Sequence, residues 1–161
     1  MDFEGNASKG IGVGLMVQII LSGHGQISTG VKSATDMIFG AQDQYTAVEF
    51  LPGEGKENLS EKFKALLDGF DSAEEVLIIV DVFGGTPYNT ASELVYGKPE
   101  CDVITGLSLP LVLEALSARL AGGLPEVIAH LKNVSPEFVK IFSEEFAKIQ
   151  SVSEDLEEDE L

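Results

Sequence analysis

Val76-Leu77-Ile78-Ile79-Val80-Asp81-Val82-Phe83-Gly84-Gly85-Thr86-Pro87 sets an unbroken apolar run directly before a carboxylate and a glycine pair. An apolar run this short, without polar alternation, reads as a strand buried on both faces, the habit of parallel sheets. The strand is expected over 76–82. Thr86 then suits a helix N-cap, and Pro87 suits the first turn, where its missing N–H has no intrahelical acceptor to serve. That helix is expected to run to about Tyr96 and stop at Gly97. An upstream stretch behaves alike. Ile19-Ile20-Leu21-Ser22-Gly23-His24-Gly25 is a buried strand, expected over 17–21, that gives way to a histidine with a glycine on each side.

Between and beyond these runs, strand and helix patterns alternate. Ile27, Val31, Ala34 and Ile38 have the spacing of one helix face, with a stop near Gly40. Residues 45–51 alternate Val48 and Phe50 with Glu49 and close on Pro52-Gly53, a short strand. Asn58 with Glu61 resembles a capping pair, and Leu59, Phe63, Leu66, Leu67 and Phe70 form an amphipathic helix ending near Gly69. Residues 101–105 read as a fourth strand. After Ser108 and Pro110, a helix carries Leu113, Leu116 and Leu120 and breaks at Gly122-Gly123. Residues 124–131 form a short helix. Residues 134–142 are either a helix or a late strand built on Phe138-Val139-Lys140-Ile141. The alternation predicts an α/β, three-layer αβα architecture around a mostly parallel sheet of four strands with right-handed crossovers.

The 161 residues fit one domain. A net charge of −17 excludes nucleic acid and anionic membrane surfaces as partners and favours a basic docking face instead. Six of the acids lie between Glu154 and Glu160, so residues 151–161 read as a disordered acidic tail. Residues 1–15 show no regular period and read as a leader placed ahead of a natural start at Met16. The carrier of the fold is therefore 16–150. The apolar stretch 11–21 is too short to cross a bilayer and is interrupted by Gly12, Gly14 and Gln18. Cys101 is the single cysteine, which permits no internal disulfide and fits a reducing, cytoplasmic setting. It reads as a structural thiol, and His130, near Lys132 and Asn133, as a surface residue.

In open α/β sheets, chemistry sits beyond the carboxyl ends of the strands. His24 and Asp81 both follow such ends, as does the Leu107-Ser108-Leu109-Pro110 loop. A neutral imidazole attacks through one nitrogen while the other carries a proton. Asp81 is the candidate to hold that proton, as a carboxylate orients histidine in a hydrolytic triad. Gly84 and Gly85 allow backbone N–H groups to turn inward, and the helix opening at Thr86 adds its positive end, together a phosphate cradle. Lysines and arginines are sparse in these loops, Lys32 being nearest in sequence. Phe83 and Tyr88 read as packing residues. Each feature also has a plain structural meaning: a loop histidine, a turn-capping aspartate, a strand-to-helix connection.

Taken together, Ile20-Leu21-Ser22-Gly23-His24-Gly25, Phe50-Leu51-Pro52-Gly53-Glu54, Asp81 through Asn89 and Ile104 through Pro110 resemble the enzyme IIA component of the mannose/fructose/sorbose family of the bacterial sugar phosphotransferase system. The match spans about 16 to 120 and extends more loosely to 148. The resemblance implies that His24 is phosphorylated on Nε2 by the phosphocarrier HPr and passes the group to a IIB component, with Asp81 on the other ring nitrogen. It implies no cofactor and no metal, and an indirect link to membrane IIC and IID components. Thr86 stands where the family often has serine, so the hydroxyl is kept, and Phe83 stands where relatives can carry tryptophan. The family is commonly dimeric with a late strand exchanged between subunits, here expected at 138–142. Some relatives continue into a IIB domain, which implies that IIB is a separate polypeptide here. The rivals are a phosphotransferase subunit of a dihydroxyacetone kinase, a non-catalytic anion- or partner-binding regulatory domain, and a small hydrolase using His24 and Asp81. Glycine after the histidine favours the sugar system over the kinase subunit. The hydrolase lacks an activated serine motif, and the sequence lacks a G-x-x-x-x-G-K-[ST] loop for a nucleotide.

Overall fold

The computed structural model describes residues 16–158. Strands and helices alternate as β1 (Gln18–His24), α1 (Ile27–Phe39), β2 (Tyr45–Phe50), α2 (Lys56–Leu67), β3 (Val76–Val80), α3 (Thr86–Val95), β4 (Cys101–Ile104) and α4 (Leu109–Ala118). Two further helices, α5 (Leu124–Val134) and α6 (Phe142–Glu158), flank a 3-10 turn at Ser135–Glu137. The four strands pair in parallel in the order β2-β1-β3-β4. The chain therefore leaves β1 toward one edge and returns across it to build the other. The carboxyl ends of β1 and β3 flank the point where the order reverses, the crevice that such sheets use for ligands.

Side chains of successive strand residues point to opposite faces, and both faces of this sheet are covered. Ile19, Leu21, Leu77 and Ile79 pack under α4 and α5 through Val112, Ala115, Leu116, Val127 and Leu131, with Val31 of α1 against the same cluster. Ile20, Ile78 and Val80 face the other way, onto Leu59 and Phe63 of α2 and Ala91 and Val95 of α3. Phe63 is fully buried, so truncating it to alanine would cost about 3–5 kcal/mol.

The helix predicted from Ile27, Val31, Ala34 and Ile38 forms, and Val31 packs on the core as expected, but the buried face is centred on Ser28 and Thr35 rather than on Ile27 and Ile38. Ser28 and Thr35 are its buried residues, while Ile38 is exposed beside Met37 and Phe39. The reason is hydrogen bonding across layers. Ser28 Oγ donates to the Val48 carbonyl at 3.1 Å, and Thr35 Oγ1 meets the Tyr45 hydroxyl at 2.8 Å. Buried hydroxyls with such partners are as acceptable to the core as apolar groups.

Helix caps also shift from expectation. Gly85, not Thr86, is the N-cap of α3, with Thr86 as its first residue. Asn58 lies inside α2, its side-chain oxygen accepting the Gly55 N–H at 2.9 Å. Ser108 caps α4 through the Leu111 N–H at 3.4 Å.

Residues 138–142 form no strand within this chain. Pro136 lies in the 3-10 turn, Phe138 folds back onto the core, and Val139 and Ile141 are exposed before α6 begins. A lone extended segment has no ladder to receive its backbone groups. Residues 151–158, expected to be disordered, belong to α6, so the boundary at 150 falls inside a helix. Residues 1–15 and 159–161 lie outside the described residues.

At the amino ends of the strands, Arg119 is 3% exposed and donates to the carbonyls of Val17 at 3.2 Å, Gln44 at 2.8 Å and Asp43 at 2.7 Å. Burial lowers its pKa, against the opposing pull of Asp43 and Tyr45, yet an arginine remains charged. It ties α4 to the starts of β1 and β2.

Candidate functional site

β1 ends on His24 itself, in register with Phe50 of β2. The Gly25 N–H donates to the Phe50 carbonyl at 2.8 Å with Gly25 at a φ of 61°, so the chain turns sharply there and leaves the imidazole at the rim. Asp81 follows β3 directly. Its backbone carbonyl accepts the Gly106 N–H at 3.2 Å, and the Val80 carbonyl accepts the Leu107 N–H at 3.0 Å, which straps the 105–108 loop beneath it.

The two side chains meet. His24 Nδ1 lies 2.7 Å from Asp81 Oδ2, and the same oxygen accepts the His24 backbone N–H at 2.8 Å. Asp81 Oδ1 accepts the Val82 N–H at 2.9 Å. Burial acts to raise the Asp81 pKa, but the hydrogen bonds from His24 and Val82 outweigh it and hold the carboxyl below its usual range. A carboxylate can only accept, so Nδ1 carries a proton, and in the neutral imidazole the lone pair is on Nε2. The His24 side chain is 53% exposed and that of Asp81 12%. The base faces solvent and its anchor does not.

The glycine turn packs against the ring. A Cβ built on Gly85 would sit 3.1 Å from His24 Cε1, the carbon between the two nitrogens. Gly84 has a φ of 77°, open to glycine at little cost. Asn89 Nδ2 donates to the Gly84 carbonyl at 3.0 Å and fixes the turn from inside α3. The first N–H groups of a helix have no intrahelical partner. In α3 these are the Thr86 and Tyr88 N–H groups, since Pro87 has none, and Gly85, the N-cap against the imidazole, brings the positive end of the helix to the ring. Thr86 follows Gly85 directly as the first helical residue.

On the other side, Phe50 meets the imidazole edge to face, with ring centroids 5.6 Å apart. Phe50 and the 51–54 turn line a shallow cleft with His24. Its Glu54 is paired to Lys62 at 2.6 Å, and that pairing, with the Leu51 N–H, holds the Glu54 carboxyl below its usual range. In sequence Phe50 reads as a strand residue, and only the 50–54 segment of the family resemblance signals its place beside the histidine. Lys32 does not serve the rim. It pairs with Asp36 at 2.8 Å and lies over the Tyr45 ring, at the start of β2.

Phe83 is not a core residue. It is 78% exposed and meets Tyr88 at a tilt of 51°, with ring centroids 4.8 Å apart. Burial raises the Cys101 thiol pKa, Glu100 adding to the effect, so it is no thiolate nucleophile. His130 Nε2 pairs with Glu114 at 2.6 Å between α5 and α4.

A family model described as "PTS system fructose IIA component" matches residues 18–132. The fructose-specific EIIA component of Bacillus subtilis is 38% identical over 146 residues, covering 91% of this chain and all of that protein. The sorbose-specific EIIA component of Lacticaseibacillus casei is 34% identical, over 80% of this chain and 92% of its own length. A solved EIIA component from Streptococcus agalactiae superposes with a TM-score of 0.73 at 27% identity, covering 80% of this chain and 98% of that one. With a histidine-aspartate pair at the switch point of its sheet, this chain belongs to the IIA components of the sugar phosphotransferase system.

Proposed function

We propose that His24 carries a phosphoryl group between HPr and a IIB component. The observation that supports this most is the 2.7 Å contact between Nδ1 and Asp81 Oδ2, which leaves Nε2 as the free nucleophile at the rim. The Nε2 lone pair attacks the phosphorus of phospho-HPr, and the donor's P–N bond breaks as the new one forms. The Nδ1 proton stays in place, and Asp81 stabilises the positive charge that gathers on the ring. Gly84 and Thr86 present backbone and hydroxyl donors to the phosphoryl oxygens, while Gly85, whose N–H turns to the Val82 carbonyl at 3.4 Å, lets the helix end approach the ring. Phosphoryl transfer needs little beyond such positioning and charge stabilisation. The reverse sequence hands the group to IIB. In this reading the carrier works in the cytoplasm and couples to membrane IIC and IID components through IIB.

The same reading includes a homodimer with exchanged 138–142 segments. β4 is the last strand on its side of the sheet. Beside it lies a cleft of about 750 Å3 lined by Val103, Ile104, Phe138 and Val139, and an open apolar edge invites strand pairing.

The test incubates the chain with phosphoenolpyruvate, enzyme I and HPr and reads intact mass. An acid-labile gain of one phosphate, absent in His24→Ala, is expected. No gain with a competent donor would leave a binding domain as the better reading.

A further inference from the structure

Gly23 precedes the histidine, is buried, and makes no hydrogen bond to the site through a side chain, yet the space around it is spoken for. A Cβ built there would lie 2.4 Å from Ile27 Cγ2 on one side and 3.0 Å from Asp81 Cγ on the other, with Asp81 Cβ at 3.1 Å. Non-bonded carbons settle at about 3.5–4.0 Å. The missing side chain is therefore what lets the Asp81 carboxylate lie against β1 closely enough to accept two hydrogen bonds from His24. We propose that Gly23 is a positioning residue for phosphoryl transfer, acting through Asp81, and that Ile27 makes it one by closing the opposite side. The inference rests on the carrier reading above.

The two walls differ in how they give way. Ile27 is the first residue of α1, and its Cγ2 is a β-branch methyl that moves only by leaving its preferred χ1 well. Asp81 is a short side chain held by hydrogen bonds in a loop. An added methyl wedged between them displaces Asp81. Ordinary carbon contact requires about 1 Å more room toward Ile27 and about 0.5 Å more toward Asp81, and even the smaller shift, taken by the carboxyl, lengthens the His24 contact from 2.7 Å toward the limit of a good hydrogen bond. Misplacing a catalytic constellation by 1 Å can cost about a hundredfold, so a displacement half as large is expected to slow transfer about tenfold.

Gly23→Ala, Ile27→Ala and the double variant are compared in the full chain. Two readouts are used: single-turnover transfer from phospho-HPr, and the 15N-resolved imidazole spectrum of the unphosphorylated protein. Gly23→Ala is expected to keep its far-UV circular dichroism, transfer about tenfold more slowly, and lose the slowly exchanging Nδ1 proton that the Asp81 contact protects. The double variant is expected to recover the proton signal and a rate within about twofold of Ile27→Ala, because the new methyl then has room toward α1. Ile27 is exposed and touches no reacting atom, so Ile27→Ala alone should transfer normally. Wild-type rate and spectrum in Gly23→Ala would overturn the proposal, as would a folded double variant with neither rate nor signal restored. Should Gly23→Ala fail to fold, the double variant decides by the same criteria. The spectrum is read without phosphate, so a wild-type chain that takes no phosphate at all would sink the carrier reading while the steric claim is judged separately.

Discussion

Replacing Asp81 by asparagine tests the anchor with almost no change of shape. In the native site three N–H groups need acceptors on both carboxylate oxygens: the His24 backbone and Nδ1 on Oδ2, and Val82 on Oδ1. An amide offers one acceptor oxygen, so in either orientation its NH2 faces a donor. That mismatch costs about 1 kcal/mol. The lost charge costs more. Two unit charges about 4 Å apart interact by roughly 4 kcal/mol at an effective dielectric of 20. His24 is half exposed, and screening reduces this to about 2 kcal/mol. The barrier should thus rise by about 2–3 kcal/mol, which slows transfer roughly 30- to 150-fold. Folding should survive, with Tm lowered by about 2–6 °C. Rapid-quench transfer from phospho-HPr measures the rate, and circular dichroism checks the fold. A folded Asp81→Asn protein with a rate within twofold of wild type would remove the carboxylate from the mechanism.

Gly85→Ala adds a methyl 3.1 Å from His24 Cε1 and 3.0 Å from Val82 Cγ2; transfer should slow about tenfold, read by the same quench assay. Arg119→Met removes the donors that serve three carbonyls, one buried and two part-buried; stability should fall by about 2–4 kcal/mol in urea titrations, while the transfer rate per folded molecule stays unchanged. The Asp81 carboxyl is held below its usual range. Its contribution to stability is therefore complete above the ordinary aspartate value of about 3.9 and is lost as pH falls through the lower folded-state value. Urea midpoints measured down that acid limb should fall more steeply for wild type than for Asp81→Asn.

The strands and the site were readable because their signals are local. Continuous runs such as Val76 to Val80 announce burial on both faces, and glycine breaks mark where each run ends. His24 and Asp81 could be paired because parallel strands deliver their carboxyl ends to one rim. What escaped depends on distant partners. The buried face of α1 is set by the Val48 carbonyl and the Tyr45 hydroxyl, so hydrophobic spacing finds Val31 but misses Ser28 and Thr35. Nothing local in the sequence marks Arg119, whose role comes from the distant carbonyls of Val17, Asp43 and Gln44 that converge on it. Lys32 looked close to the site in sequence, but one helical turn carries it toward Asp36 and Tyr45. In the tail, acidic composition hid a helical period carried by Phe142, Phe146, Ile149 and Leu156, all exposed along α6. Gly23 is silent in sequence because what matters is the size of the two neighbours it separates.

The most direct measurement is the imidazole 15N spectrum of His24 after phosphorylation of the uniformly labelled chain by phospho-HPr. Phosphate on Nε2, with Nδ1 still protonated against Asp81, is the predicted result. Phosphate on Nδ1, or on a residue other than His24, would contradict the account.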